Sequence, residues 1–572
     1  MNTQLRFRRL VTLGAAALTA SAAHAQVASA VIREGIALPN GPATETVTSI
    51  SSVMTNNAGG YAVRLDSTGS GTTLSHVWGS ANGGPGAPLR TEGSFSGYTQ
   101  TAFETFFGVS NTGQVAYSPT LTVGDSVWLD STPVAVDPEP STVAGFFWSF
   151  ASRPLVSGLG TPYCVAGLST TAGGSTAAYA FVQGVGGNVL FRSGDTLPGM
   201  PGPIGTSSTP IDFDYAISAN DGHYILTVKL AGATSATDEY VIYDGSVLNV
   251  GGSPLVEGTL VPPGIGGVNG ENWGTFDLFA CTENGNYLIT GDTDAPTTAD
   301  DYMLVNGVFT HRVGDVIDGF TTVGGIQSAT MNEAGSIAYV WEIVTGGGNL
   351  EALFVNDEIV LVEGDLVDLD GDGIVESNSV LRDIGETRQL ALASNGDVYV
   401  QCQIDVNGTT TTTDDIDAIF RIPAPVSGPI VYCTAGTTTN GCVPAIAASA
   451  SPSVSFANPC AISIANVEGQ KSGLIFYSIT GPNSQPWSAT STSFLCVKSP
   501  TQRTPPQSSG GTANACNGSL NLDWNAFQAA NPSSLGNPWS AGDKVYVQGW
   551  FRDPPAPKTT NLSDAVELTY LP

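Results

Sequence analysis

Between Tyr215 and Leu260 the apolar positions come in short alternating runs, broken by turns that combine Asn or Asp with Gly. Residues 214–218 read as a strand, 219–222 as a tight turn, and 223–230 as a second strand with alternating apolar positions. A looser acidic connection, 234–239, leads to 240–243 and 246–250, which flank Asp244 and Gly245. Asp-Gly between apolar runs predicts a two-residue hairpin, because both central residues need positive φ. Four short antiparallel strands follow, closed by residues 256–260.

The same order of strands and turns returns along the chain. Taking the turn glycines Gly59, Gly113, Gly173, Gly222, Gly285, Gly335 and Gly396 as markers, the intervals are 54, 60, 49, 63, 50 and 61 residues, the range of a four-stranded propeller blade with variable loops. The pattern therefore predicts an all-β chain: a seven-bladed β-propeller over residues 26–423, then a small disulfide-stapled β-sandwich. The seventh copy stops after its third strand, at Pro423, while residues 30–39 look like the fourth-strand ending at 189–198. The N-terminal strand is expected to complete the last blade and remove the open sheet edge.

Residues 1–25 have the form of a signal peptide: Arg6, Arg8 and Arg9, an apolar run from Leu10 to Ala20, and the small-residue site Ala23 to Ala25. No later stretch has the roughly 18 uncharged apolar residues that a membrane-spanning helix needs. Export is the expectation, to the cell surface, the extracellular space or the periplasm. Charge is unevenly placed: residues 1–425 carry 44 acids against 13 bases, whereas residues 426–572 hold six of each. So negative a field disfavours nucleic acid and anionic membrane surfaces and favours cations.

Pro423 to Pro429 breaks the strand pattern, so residues 424–430 form a linker and residues 431–572 a second module. Its predicted strands are 452–456, 461–465, 472–478, 493–497, 520–523, 544–550 and 565–570, the number and length expected of a β-sandwich. Residues 524–530 alone could form a short helix. Five of eight cysteines lie here, as suits an oxidising compartment. Sequence proximity favours Cys433 with Cys442 and Cys496 with Cys516, leaving Cys460 over. Cys164, Cys281 and Cys402 read as buried thiols.

The sharpest chemical signal is Asp368, Asp370, Asp372, Gly373, Ile374 and Glu376. Three carboxylates at alternate positions can converge on one hard cation, Gly373 allows the reversal, and the Ile374 carbonyl and Glu376 complete a ligand set. Position 379, where a helix-loop-helix calcium loop would place its bidentate Glu, is Ser379. The nine-residue spacing instead resembles the calcium loops between strands of integrin-type propeller repeats, with Glu replacing the final Asp, and that resemblance implies bound calcium. Connection parity places the short Asn/Asp-Gly turns on one face of the disc. The Asp368 loop and the acidic segments at Asp238, Asp300, Glu351 and Asp414 then share the other face, where loops on a rigid scaffold usually bind ligands.

Catalytic signals are sparse. His223 and His311 fall on blade strands, where a satisfied structural imidazole is expected, and with His76 they are the only histidines after residue 25. There is no H-E-x-x-H, G-x-S-x-G or phosphate-cradling glycine loop.

The recurring N-x-x-G-x-h-A-Y/F and G-D-x-L-P-G elements resemble those of secreted bacterial propeller-type repeat proteins. The tail, from Cys433 and Cys442 through residues 471–478 to Trp550, Asp553 and Asp564, resembles a C-terminal module found on exported bacterial proteins. Neither resemblance implies an activity. The expectation is an exported, non-catalytic, calcium-binding propeller: a monomeric cell-surface or extracellular binding or adhesion module for a glycan or protein. The alternatives are an extracellular glycosidase or lyase working in the central funnel by a carboxylate pair, and a purely structural envelope component.

Overall fold

A computed structural model describes residues 27–570 except 70, 96, 207–208, 268–269, 373, 386–388, 410, 425–427, 455–458 and 540–542. Residues 1–25, the predicted signal peptide, and its expected cleavage point lie outside the described residues. The chain divides into two compact units, one ending at Ala424 and the other beginning at Pro425.

The first unit is a propeller. Its sheets are antiparallel, and seven of them follow one another in chain order among the described residues. The innermost strands are Thr46–Thr55, Tyr98–Val109, Phe147–Val156, Ile211–Ile217, Trp273–Cys281, Phe320–Met331 and, in the last blade, the pair Val380–Ile384 and Leu390–Leu392. Each packs against the next, and the last packs against the first, so the ring is closed. Apolar residues gather in one cluster per seam between consecutive blades, and this explains the composition of the strands. A blade meets a neighbour on both faces, so central strands such as Pro162–Ser169 are buried along their whole length.

The closing strand forms as expected. Ser29–Arg33 pairs antiparallel with Ile416–Ile422, matching Ser29 with Arg421 and Ala30 with Phe420 before a bulge brings Ile32 opposite Ile419. Ile32 is buried among Val47, Ile50, Tyr399 and Ile419, in the seam between the last blade and the first.

One turn departs from the sequence reading. Gly173 lies in the connection between the second and third strands of its blade. The turn equivalent to Gly222 is residues 157–161, with Gly160 at φ 91°. The physical reason is that residues 157–161, Ser-Gly-Leu-Gly-Thr, hold no Asn or Asp, whereas each of the other turns carries at least one, so no polar turn marker stands out.

The second unit is a β-sandwich. One sheet runs Ile430–Tyr432, Thr560–Thr569, Lys544–Arg552, Ser472–Ser478 and Thr501–Arg503, with Gln507–Ser508 also paired to Ser472–Ser478. The facing sheet is Ala445–Ala448, Ala461–Val467 and Gly518–Asp523. Ile462, Ile464 and Leu520 meet Ile475, Val545, Val547 and Val566 between them. The short helix is Trp524–Ala530, capped by Asp523 on the Ala526 amide, and its Trp524 is buried with Nε1 2.7 Å from the Tyr570 hydroxyl. Of the predicted strand at 452–456, residues 452–454 are not in a strand and 455–456 are outside the described residues.

The disulfides are Cys433–Cys496 and Cys442–Cys516, which overturns the pairing by sequence proximity. Tyr432 belongs to an edge strand, and its hydroxyl donates to the Cys496 carbonyl at 2.8 Å. That contact brings Cys433 beside a strand more than sixty residues away. Cys460, Cys164, Cys281 and Cys402 are free and buried.

Candidate metal and ligand site

The Asp368 loop joins the outer strand Glu358–Val362 to the inner strand Val380–Ile384 of the next blade. Carboxylate oxygens of Asp368, Asp370 and Glu376 lie within 4.8 Å of one another. The Asp372 carboxylate stands outside this group and accepts from the Ile374 amide at 2.8 Å. Backbone amides shape the loop: Asp368 Oδ1 accepts from Gly371 N (2.7 Å) and Asp372 N (3.2 Å), and Glu376 Oε2 accepts from Leu369 N (2.7 Å). Gly371, at φ 80°, makes the reversal and brings the loop against the Ala30 carbonyl.

Asp368 is fully buried and bound to the closing strand. Its Oδ2 accepts from Ser29 Oγ at 2.7 Å, its carbonyl from Ala30 N at 2.8 Å, and its own amide donates to the Ala28 carbonyl at 3.0 Å. The donors are hard oxygens, and more than one carboxylate points at a common space, which suits a calcium-sized ion. Asn378 Nδ2 donates to the Val406 carbonyl at 3.1 Å, tying the loop to the acidic connection that ends at Asp414 and Asp415.

A second set of carboxylates went unrecognised in the sequence as a group. In the fourth blade, Thr227 Oγ1 lies 2.9 Å from Glu239 Oε1 and 3.2 Å from Asp212 Oδ2. One hydroxyl proton cannot serve both carboxylates at once, so the pair is left one donor short. Burial pushes Glu239 up to about 7, with Asp212 reinforcing the shift. In the fifth blade, Thr275 Oγ1 stands 3.1 Å from Asp277 Oδ1 and 3.3 Å from Asp292 Oδ1. Lost hydration raises Asp277, helped by Asp292, Asp212 and Asp214, and burial with Asp300 nearby pushes Asp301 up to about 6. The recoverable signal was position: Asp214 and Asp277 both stand eight residues before their turn glycines, Gly222 and Gly285.

The sign of the Glu239 shift fixes a pH dependence. The native state keeps a proton that the unfolded chain releases at the ordinary value of 4.5, so this stability is complete below that pH and is lost as pH rises through about 7. Glu239→Gln should therefore flatten the decline between pH 5 and 8 and gain on the order of 1–3 kcal/mol over the parent at pH 8, read from urea midpoints at both pH values.

Where the inner strands of the seven sheets converge, a cavity of about 240 Å³ is lined by residues that include Met54, Val109, Val156, Ile217, Cys281, Met331 and Leu392. That is below the roughly 300–1,000 Å³ of pockets that enclose a drug-sized ligand. Arg153 packs over Phe106 at 3.3 Å and lies 3.9 Å from Asp214.

The three described histidines are occupied structurally. His223 Nδ1 meets Asp244 Oδ2 at 2.6 Å and His311 Nε2 meets Asp357 Oδ1 at 2.8 Å. His76 lies between Ser67 (2.8 Å), Thr91 (2.9 Å) and Glu45 (3.2 Å), a set of residue types found in hydrolases. Here Glu45 and Ser67 approach the same ring nitrogen, and Ser67 and His76 have no exposed surface, so no substrate can reach the hydroxyl.

No known family model matches the sequence, and no curated protein matches it. Among solved structures it is similar to a gluconolactonase from Xanthomonas campestris (11% identity, TM-score 0.26, covering 57% of this chain and 94% of that one). It is also similar to PorZ, a surface component of the type-IX secretion system of Porphyromonas gingivalis (10%, TM-score 0.21, 92% and 82%). A third is NirN, a dihydro-heme d1 dehydrogenase (10%, TM-score 0.28, 68% and 73%). Among the described residues no helix is long and apolar enough to cross a membrane.

Proposed function

We propose that this chain is an exported, calcium-loaded binding module, whose propeller presents the acidic face around the Asp368 loop to an extracellular glycan or protein. The observation that carries the reading is the convergence of Asp368, Asp370 and Glu376 at the seam where the first strand closes the ring. Calcium held there would offset the repulsion between these carboxylates and, through Asp368, brace Ser29 and Ala30. Two disulfides suit an oxidising compartment outside the cytosol.

Asp370 is exposed and makes few contacts, so Asp370→Asn tests the ion directly. Its melting temperature should fall below that of the parent in calcium and equal it in chelator. A site filled at a hundred times its dissociation constant contributes about 2.7 kcal/mol. Equal melting of the two proteins in calcium would exclude the site.

A second reading, a carboxylate-pair glycosidase or lyase, draws its support from Asp277 and Asp292 sharing Thr275 and from the raised Asp301. A glycan array on the intact protein, with and without chelator, separates the two. Calcium-dependent retention without turnover supports binding, product formation supports the enzyme, and silence in both favours a structural role.

A further inference from the structure

The turn between Ala461–Val467 and Ser472–Ser478 in the C-terminal unit carries Glu468 and Lys471, and Asn440 reaches the same point from the segment before Cys442. Lys471 Nζ lies 2.9 Å from Glu468 Oε1, and Asn440 Nδ2 lies 2.8 Å from that same oxygen. The two nitrogens are thus no more than 5.7 Å apart, the sum of those lengths. Glu468 is 1% exposed, and its other oxygen, Oε2, has no hydrogen-bond partner. An ion pair alone explains neither the carboxamide on the carboxylate nor the buried oxygen left over.

The three groups are held in place. Gly441 N donates to the Thr438 carbonyl (2.9 Å), Cys442 N to Thr438 Oγ1 (2.9 Å) and Thr439 N to Asp553 Oδ2 (3.0 Å), while the Cys442–Cys516 disulfide anchors the end of the segment. On the other side, Lys471 N donates to Ser509 Oγ (2.9 Å), and Ser509 Oγ donates to the Glu468 carbonyl (2.8 Å). Fixing an amine, a carboxamide and a carboxylate together makes their reaction effectively unimolecular.

We propose that Lys471 and Asn440 become joined by an isopeptide bond, with Glu468 as the proton shuttle. Glu468 takes a proton from the Lys471 ammonium, and the freed Nζ lone pair attacks Asn440 Cγ. The tetrahedral adduct collapses as the Cγ–Nδ2 bond breaks, and the protons lost by Nζ pass through the carboxyl to Nδ2. One C–N bond forms and one breaks, and ammonia, taken up as ammonium, leaves on the exposed side of Asn440. No oxidant, metal or co-substrate enters. A carboxylate oxygen touching both the entering and the leaving nitrogen is the arrangement such a transfer needs. The bond would tie residues 440 and 471 beside the Cys442–Cys516 crosslink and, unlike it, would survive reduction.

Intact mass of the full chain after reduction, with sequencing of its peptides, tests this. The expected protein is lighter by one ammonia, about 17 Da, and yields a branched peptide joining Asn440 to Lys471. Glu468→Gln and Lys471→Arg should each restore the full mass, with Lys471→Arg keeping the charge so that loss of fold is not the cause. Asn-Gly sequences can also lose ammonia by attack of the following backbone amide on the carboxamide. A deficit that persists in Lys471→Arg would assign the loss to that route and overturn the proposal. So would a wild-type chain of full mass whose Asn440 and Lys471 occur only in linear peptides.

Discussion

Arg312→Met should cost the propeller about 3–5 kcal/mol, the penalty of leaving a buried carboxylate without its partner. Arg312 and Glu271 are 8% and 4% exposed, joined through both guanidinium nitrogens at 2.8 and 2.7 Å. Thr293 Oγ1 donates to Glu271 at 2.8 Å, and Arg312 Nε donates to the Ala299 carbonyl at 2.9 Å. The pair ties the outer strand of the fifth blade to the segment entering its inner strand. The decisive comparison is the double variant Arg312→Met with Glu271→Leu, which removes both charges and should recover most of the loss. Urea midpoints give the result: equal destabilisation of the single and double variants would mean that packing around the arginine stem, not the stranded charge, carries the effect.

Ala30→Pro should do comparable damage by another route. Ala30 donates its amide to the Asp368 carbonyl and pairs with Phe420, and proline removes that donor at a cost of about 3 kcal/mol or more within regular structure. If Ser29–Arg33 detaches, Ile416–Ile422 becomes an open edge, and open edges recruit other chains. Light scattering after size exclusion should show the variant shifting to higher mass, with Ala30→Val matching the parent. A monomeric, equally stable Ala30→Pro would mean that the closing strand is dispensable.

Much of this ring was legible in the chain because a propeller is a local fold repeated. Each blade is built from neighbours in sequence, so turn chemistry such as Asp244–Gly245 marks its hairpins directly. The closing strand was readable because residues 30–39 repeat the ending at 189–198. Gly160 was missed because its turn, residues 157–161, holds no Asn or Asp, and the disulfides because Cys433 and Cys496 meet only once an edge strand has docked. The Asp368 loop announced itself through spacing within nine residues. Glu239 beside Asp212, and Asp277 beside Asp292, depend on strands set side by side, a relation that spacing does not encode.

On the face of the tight turns, hydrogen bonds run from blade to blade without interruption. Asn56 Nδ2 donates to the Ser110 carbonyl, Asn111 N to Gly158, Gly158 N to Ala219, and Glu283 accepts from Gly222 N. Glu333 accepts from both Ala219 N and Glu283 N, Asn332 Nδ2 reaches the Ala393 carbonyl, and Ser394 Oγ returns to Asn57. A blade held by polar links to both neighbours cannot open by fraying from an end, since a circle has none. The propeller should therefore come apart as one cooperative unit, unlike a linear repeat array that melts inward from its caps.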